Sequence, residues 1–184
     1  MNMKSYFKYL FIVFLLNFCF SSKITDKTEN ELKKYFPEYI TIDWSMYEIP
    51  KDIKKTIQKT VKQKFFRGAV NLWTITNKDS LKYYAILDNV IGKTMPISFL
   101  CIFDNTGTVQ HSSVIKYREP YGGEVGSRKW LDQFIAYTDS SSYKVGKDIS
   151  GISGATLSVN SLTKGIHKLS ILIHDIIKKD KIEK

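Results

Sequence analysis

Ser153-Gly154-Ala155-Thr156 stands immediately before an apolar-periodic stretch that runs to Ile177. That order puts a threonine hydroxyl and a glycine-containing turn at the start of a long expected helix. Unpaired N–H groups and the positive end of the helix dipole make such a place favourable for a phosphate. Gly154 allows backbone geometry closed to other residues, and Ala155 keeps the approach uncrowded. Ser153 and Ser158 offer further hydroxyls, and Leu157 sits between the threonine and Ser158. The tetrapeptide has two readings: a cradle for a phosphate-bearing cofactor, held through Thr156 itself, or an ordinary Ser/Thr cap.

A second group of candidates lies upstream in Glu119-Pro120-Tyr121-Gly122-Gly123. Tyr121 and the two glycines let backbone approach a flat ring, and a tight turn explains the glycines equally well. Glu119, before a proline, reads as a solvated loop carboxylate. Trp130 and Phe134 read as packing behind that site. His111, His167 and His174 are scattered and read as surface residues, and no Cys/His cluster has zinc spacing.

The elements that must position these residues follow from periodicity. Asp26 to Phe36 reads as a short helix ended by Pro37. In Lys51 to Phe66, Ile53, Ile57, Val61 and Phe65 recur every four residues with lysines on the other faces, the pattern of an amphipathic helix. That helix either packs on a sheet or lies on a membrane. Val70–Thr76, Leu81–Asp88 and Pro96–Phe103 have strand composition, and the turn Asp104-Asn105-Thr106-Gly107 returns the chain through Val109–Tyr117. Ser127 to Ala136 carries Trp130, Leu131 and Phe134 at helical spacing. Leu162, Ile166, Leu169, Ile173 and Ile176/Ile177 mark the last helix, which frays into the charged tail. The expected fold is α+β: an antiparallel β-sheet with helices packed on one face.

The 184 residues suit one domain behind a leader. Lys4 and Lys8 precede an apolar run from Tyr9 to Phe20, too short for a comfortable membrane span and typical of an export signal. Residues 1–21 are read as a signal peptide or N-terminal anchor, 22–68 as an N-terminal helical segment, 69–178 as the ligand-binding domain and 179–184 as a charged tail. The expected location is exported, periplasmic or on the outer face of the cytoplasmic membrane. Loss of the leader leaves Cys101 as the single cysteine, packed as a small hydrophobe. It also lowers the formal charge by two, from +10. In an exported protein that excess suits anionic lipid, an acidic redox partner or an anionic cofactor, or serves solubility alone; it does not suit nucleic acid.

Taken together, Asp148-Ile149-Ser150-Gly151-Ile152-Ser153-Gly154-Ala155-Thr156-Leu157-Ser158 resembles the flavinylation segment of the FMN-binding domain family. That family includes the FMN-carrying subunits of the sodium-pumping quinone reductase and of the Rnf electron-transport complex. Arg118-Glu119-Pro120-Tyr121-Gly122-Gly123-Glu124 resembles its Glu-x-Pro-Gly-rich loop, which implies that Glu119 lines the site, and Trp130 with Phe134 resembles its following helix. The resemblance implies FMN joined to Thr156 by a phosphoester, made by a magnesium-dependent flavin transferase from FAD. Ser153, Gly154 and Ala155 are then the recognition core, at the N-terminus of the last long helix. It further implies electron relay to or from a membrane or periplasmic redox partner rather than independent catalysis. A flavin-dependent reductase of a small acceptor and a cofactor-free binding module are the alternatives. One position departs from the family pattern: Ser150 stands where an aspartate is usual, with Asp148 two residues upstream. Either the transferase accepts serine, or Asp148 serves through a shifted loop, or modification is inefficient.

Overall fold

The computed structural model describes residues 24–182, so the leader assignment at residues 1–21 lies outside it. The described residues fall into two compact units that divide after Pro37. In the first, residues 24–35 form helix α1, close to the expected span, with Thr28 Oγ1 donating to the Ile24 carbonyl at 2.8 Å. Pro37, which lacks an amide hydrogen, follows the helix end.

The second unit, from Glu38 on, is built on five strands: β1 (Tyr39–Glu48), β2 (Ala69–Asn77), β3 (Lys82–Ile91), β4 (Pro96–Asp104) and β5 (Val109–Lys116). They pair in sequence order as an antiparallel meander. Asp104 closes the β4–β5 turn by accepting the Thr106 and Thr108 amides on Oδ1 at 2.9 and 3.0 Å. The last four strands lie within three residues of their expected limits.

Strand β1 is a correction, because it arises inside the segment read as helical at 22–68. Ile40, Ile42, Trp44 and Met46 alternate with Thr41, Asp43 and Ser45, a period of two that belongs to a strand. The register Ile42↔Ile75 and Trp44↔Trp73 sets the apolar set beside that of β2.

Helix α2 (Lys51–Val61) is shorter than the expected span to Phe66. Lys62 takes a left-handed conformation (φ 53°) and ends it. Phe65 is still buried, but from the following loop, where its amide donates to Gln58 Oε1 at 2.8 Å. The Ser127–Ala136 helix is also broken up. Helix α3 (Arg128–Leu131), capped by Ser127, passes into a single 3-10 turn at Asp132–Phe134, and the chain turns away at Ala136 with φ 65°. The last helix, α4 (Thr156–Ile182), continues through most of the tail expected to fray.

Helices α2 and α4 cover one face of the sheet. The row Leu72–Ile86–Cys101, with Phe99 and Phe103, meets Leu162, Ile166, Leu169 and Ile173 of α4 in a single core. Apolar side chains of this size contribute about 1.5–3 kcal/mol each when fully buried. The same face holds one charged pair that the apolar stripe did not foreshadow: Lys168 Nζ lies 2.9 Å from Asp88 Oδ2, both essentially without solvent. The antiparallel order gathers the α2–β2 loop, the β3–β4 hairpin and the end of β5 at one end of the sheet.

Candidate functional site

Helix α4 begins at Thr156, so Ala155 occupies its cap position. An alanine side chain cannot accept a hydrogen bond there. The bond from Val159 N to Ala155 O, at 2.9 Å, opens the helical ladder. The Thr156, Leu157 and Ser158 amides therefore have no acceptor among the described residues, and the first turn has no acidic side chain. Thr156 is exposed at that turn and is not itself the cap. Gly154, at φ 76°, turns the chain into the helix through a conformation that disfavours a side chain.

Across from this segment lies the loop after β5. Gly122 combines φ 80° with close approach: a Cβ there would stand 2.9 Å from the Ala155 Cβ. Tyr117 Oη donates to the Tyr121 carbonyl at 2.6 Å and lies 3.1 Å from Ser158 Oγ. A phenol has one proton, so Ser158 is the donor to Tyr117. That removes Ser158 as a hydroxyl donor to a ligand.

Glu119 does more than line the site. Its Oε1 accepts the amides of Thr94 and Met95 at 2.7 and 2.8 Å, and its Oε2 accepts Thr94 Oγ1 at 3.2 Å. The Met95 amide, then that of Thr94, hold its carboxyl below the ordinary range. The residue is thus a clamp between the β5 exit and the β3–β4 hairpin, rather than the solvated carboxylate that a glutamate before proline suggests.

These pieces enclose a cavity of about 450 Å3. Gly154, Ala155, Thr156, Leu157 and Ser158 line one side, and Glu119 and Tyr121 line the other. Gly122 and Gly123 shape the loop without lining the cavity, and Ser153 is exposed outside its wall. Lys93 and Thr94 also line it. No local pattern marks that hairpin; the signal is the glutamate 25 residues away whose acceptor it satisfies.

The departure at Ser150 is held by its backbone. Its amide donates to Gln133 Oε1 at 2.7 Å, and its carbonyl accepts Trp130 Nε1 at 2.8 Å. Asp148 accepts the hydroxyl of Ser142. Trp130 and Phe134 are buried in the core with an edge-on ring contact, the packing role expected of them.

His111 and His167 correct their reading as surface residues. His111 is buried, and burial, then the charge of Arg128, push its pKa down to about 4. His167 is half-buried and stacks on Tyr143 at 4.2 Å, while His174 is exposed. Cys101 is a buried free thiol, as its apolar run implied. Among the described residues there is no group of His, Cys, Asp and Glu able to hold a metal ion. None of their helices is long and apolar enough to cross a membrane.

The cavity fits a phosphate-linked planar cofactor on its own chemistry: open amides at a helix start, a cap without an acceptor, an exposed hydroxyl and an uncrowded wall. No curated protein matches the chain. Residues 92–170 match the family model described as the FMN-binding domain, a span that takes in the Glu119 clamp, the Gly122 loop and the first half of α4. Residues 92–170 are thus similar to an FMN-binding domain, and every residue that lines the cavity at the start of α4 lies within that span.

Proposed function

We propose that this protein is an exported electron carrier whose FMN is joined to Thr156. The observation that carries this reading is the exposed Thr156 hydroxyl beside three helix-start amides without acceptors. A phosphodiester keeps one negative charge, which a helix N-terminus stabilises by roughly 0.3–1 kcal/mol.

Attachment by a flavin transferase balances with FAD as donor. Thr156 Oγ1 forms a bond to the phosphorus of the FMN half, the pyrophosphate bond breaks, AMP leaves, and the hydroxyl proton is released. Bound there, FMN supplies one- and two-electron redox chemistry. The chain's own residues position it. Thr156 anchors the phosphate, and the Leu157 and Tyr121 side chains offer apolar surface beside it. The Glu119 clamp and the Tyr117–Ser158 contact hold the two walls together. Turnover needs no protein nucleophile, and covalent attachment keeps the cofactor with a protein outside the cytoplasm. The basic leader with its apolar run supports export, and the formal charge, +10 with the leader and two less without it, suits an acidic redox partner at the membrane.

The test is flavinylation of the purified protein by a flavin transferase with FAD and magnesium, followed by denaturing electrophoresis. Flavin fluorescence should travel with the wild-type chain and with Thr156→Ser, and be absent from Thr156→Val. Fluorescence retained in Thr156→Val would place the anchor elsewhere.

A further inference from the structure

Leu157 lines a second cavity as well as the first, so it forms a common wall between them. The second cavity has a volume of about 510 Å3 and is bounded by the loop that follows α2 and by the first turns of α4. Phe65, Phe66 and Leu157 supply apolar surface. Phe66 and Leu157 are 44% and 55% exposed, which leaves a large part of that surface uncovered. Lys62, Lys64 and Lys164 supply the charge, and no carboxylate lines the cavity. None of these lysines has a carboxylate partner among the described residues.

The loop wall is fixed from beneath. Lys168 Nζ, paired with Asp88, also donates to the Lys64 carbonyl at 3.3 Å and lies 4.5 Å from the centre of the Phe65 ring. Gln63 Nε2 donates to the Ser161 carbonyl at 3.0 Å, which ties the loop to α4. Lys168 is neutralised by Asp88, so the unpaired positive charge at the cavity comes from the other three lysines. A cavity within the range of about 300–1,000 Å3 suits a small molecule. Exposed ring surface beside unpaired ammonium groups selects an apolar body carrying negative charge.

We propose that this cavity binds a small aromatic anion, its ring against Phe66 and Leu157 and its charge among Lys62, Lys64 and Lys164. The shared Leu157 wall makes that ligand a neighbour of Thr156. Its relation to a flavin rests on the function proposed above, whereas the binding itself does not.

The experiment is calorimetric titration of 1,4-naphthoquinone-2-sulfonate into the full chain before and after flavin loading. We expect saturable binding in both states. Lys164→Glu, Lys64→Glu and Phe66→Ala should each weaken it by about tenfold, through a reversed charge or a lost ring contact. Lys178→Glu, an exposed change on α4 about 21 Å along the helix from Lys164, should leave it within about twofold. Equal weakening by Lys178→Glu would reduce the effect to overall charge and overturn the proposal. So would the absence of saturable binding, or its loss on flavin loading, which would assign the cavity to the flavin. A chain that takes up no flavin but still binds the probe would contradict the carrier reading and leave the anion site standing.

Discussion

Along its second half α4 is tied to the sheet: Asp175 accepts Tyr47 Oη at 2.6 Å, and Asp180 accepts Tyr84 Oη at 3.0 Å and Lys82 Nζ at 2.7 Å. At its first turn the same helix leaves three amides without acceptors among the described residues and exposes Thr156 and Leu157. An ordinary cap would have satisfied one of those amides for about 1 kcal/mol. The chain places Ala155 there and fixes the helix from the other end and from the middle, through Lys168 and Asp88. A helix start can be left open to a ligand when the rest of the helix is over-determined, because its position then does not depend on its own cap.

The sharpest way to break that contrast is at Thr156. Thr156→Val should abolish covalent flavin while shifting stability by less than about 0.5 kcal/mol, measured by urea denaturation. Next comes the middle of the helix. Lys168→Met leaves Asp88 buried without its partner and should cost about 3–5 kcal/mol. The double change with Asp88→Leu should recover much of that loss in the same assay. Gly122→Ala adds a Cβ against Ala155 in a positive-φ turn and should cost about 1–3 kcal/mol, with slower flavinylation of Thr156. At the pinned end, Tyr84→Phe removes one hydrogen bond to Asp180 and should cost about 1 kcal/mol, with flavinylation unchanged.

The smallest effect is a local dependence on pH. Glu119 has its folded pKa held below the ordinary value of 4.5 by the Met95 and Thr94 amides. A depressed carboxylate adds stability that is complete above its unfolded pKa and is lost as pH falls through the folded one. The amides of Thr94 and Met95 should therefore stay protected from hydrogen exchange at neutral pH and lose that protection only below pH 4.5. Glu119→Gln should flatten that dependence. Unchanged exchange across this window would mean that the clamp does not hold the hairpin.

The meander from β2 to β5 was legible because its strands carry β-branched and aromatic residues and Asp104 marks the turn between the last two. The cavity wall from Gly154 to Ser158 was legible because it is local: one turn, one hydroxyl and one helix start. β1 was missed although its alternation is strict, because it lies between two helical patterns and owes its existence to pairing with β2. The early end of α2 was missed because Phe65 keeps the apolar period while its backbone leaves the helix. Thr94, Tyr117 and Lys168 were missed for a common reason. Each earns its role from a partner far away in sequence: Glu119, Ser158 and Asp88. Composition carries no trace of such pairings.

The intact mass of the protein, purified from cells that also express a flavin transferase, tests the central claim most directly. A gain of FMN less one water in the wild type, absent from Thr156→Val, is the expected result. An unmodified wild-type mass from cells in which the transferase demonstrably flavinylates another protein would contradict it.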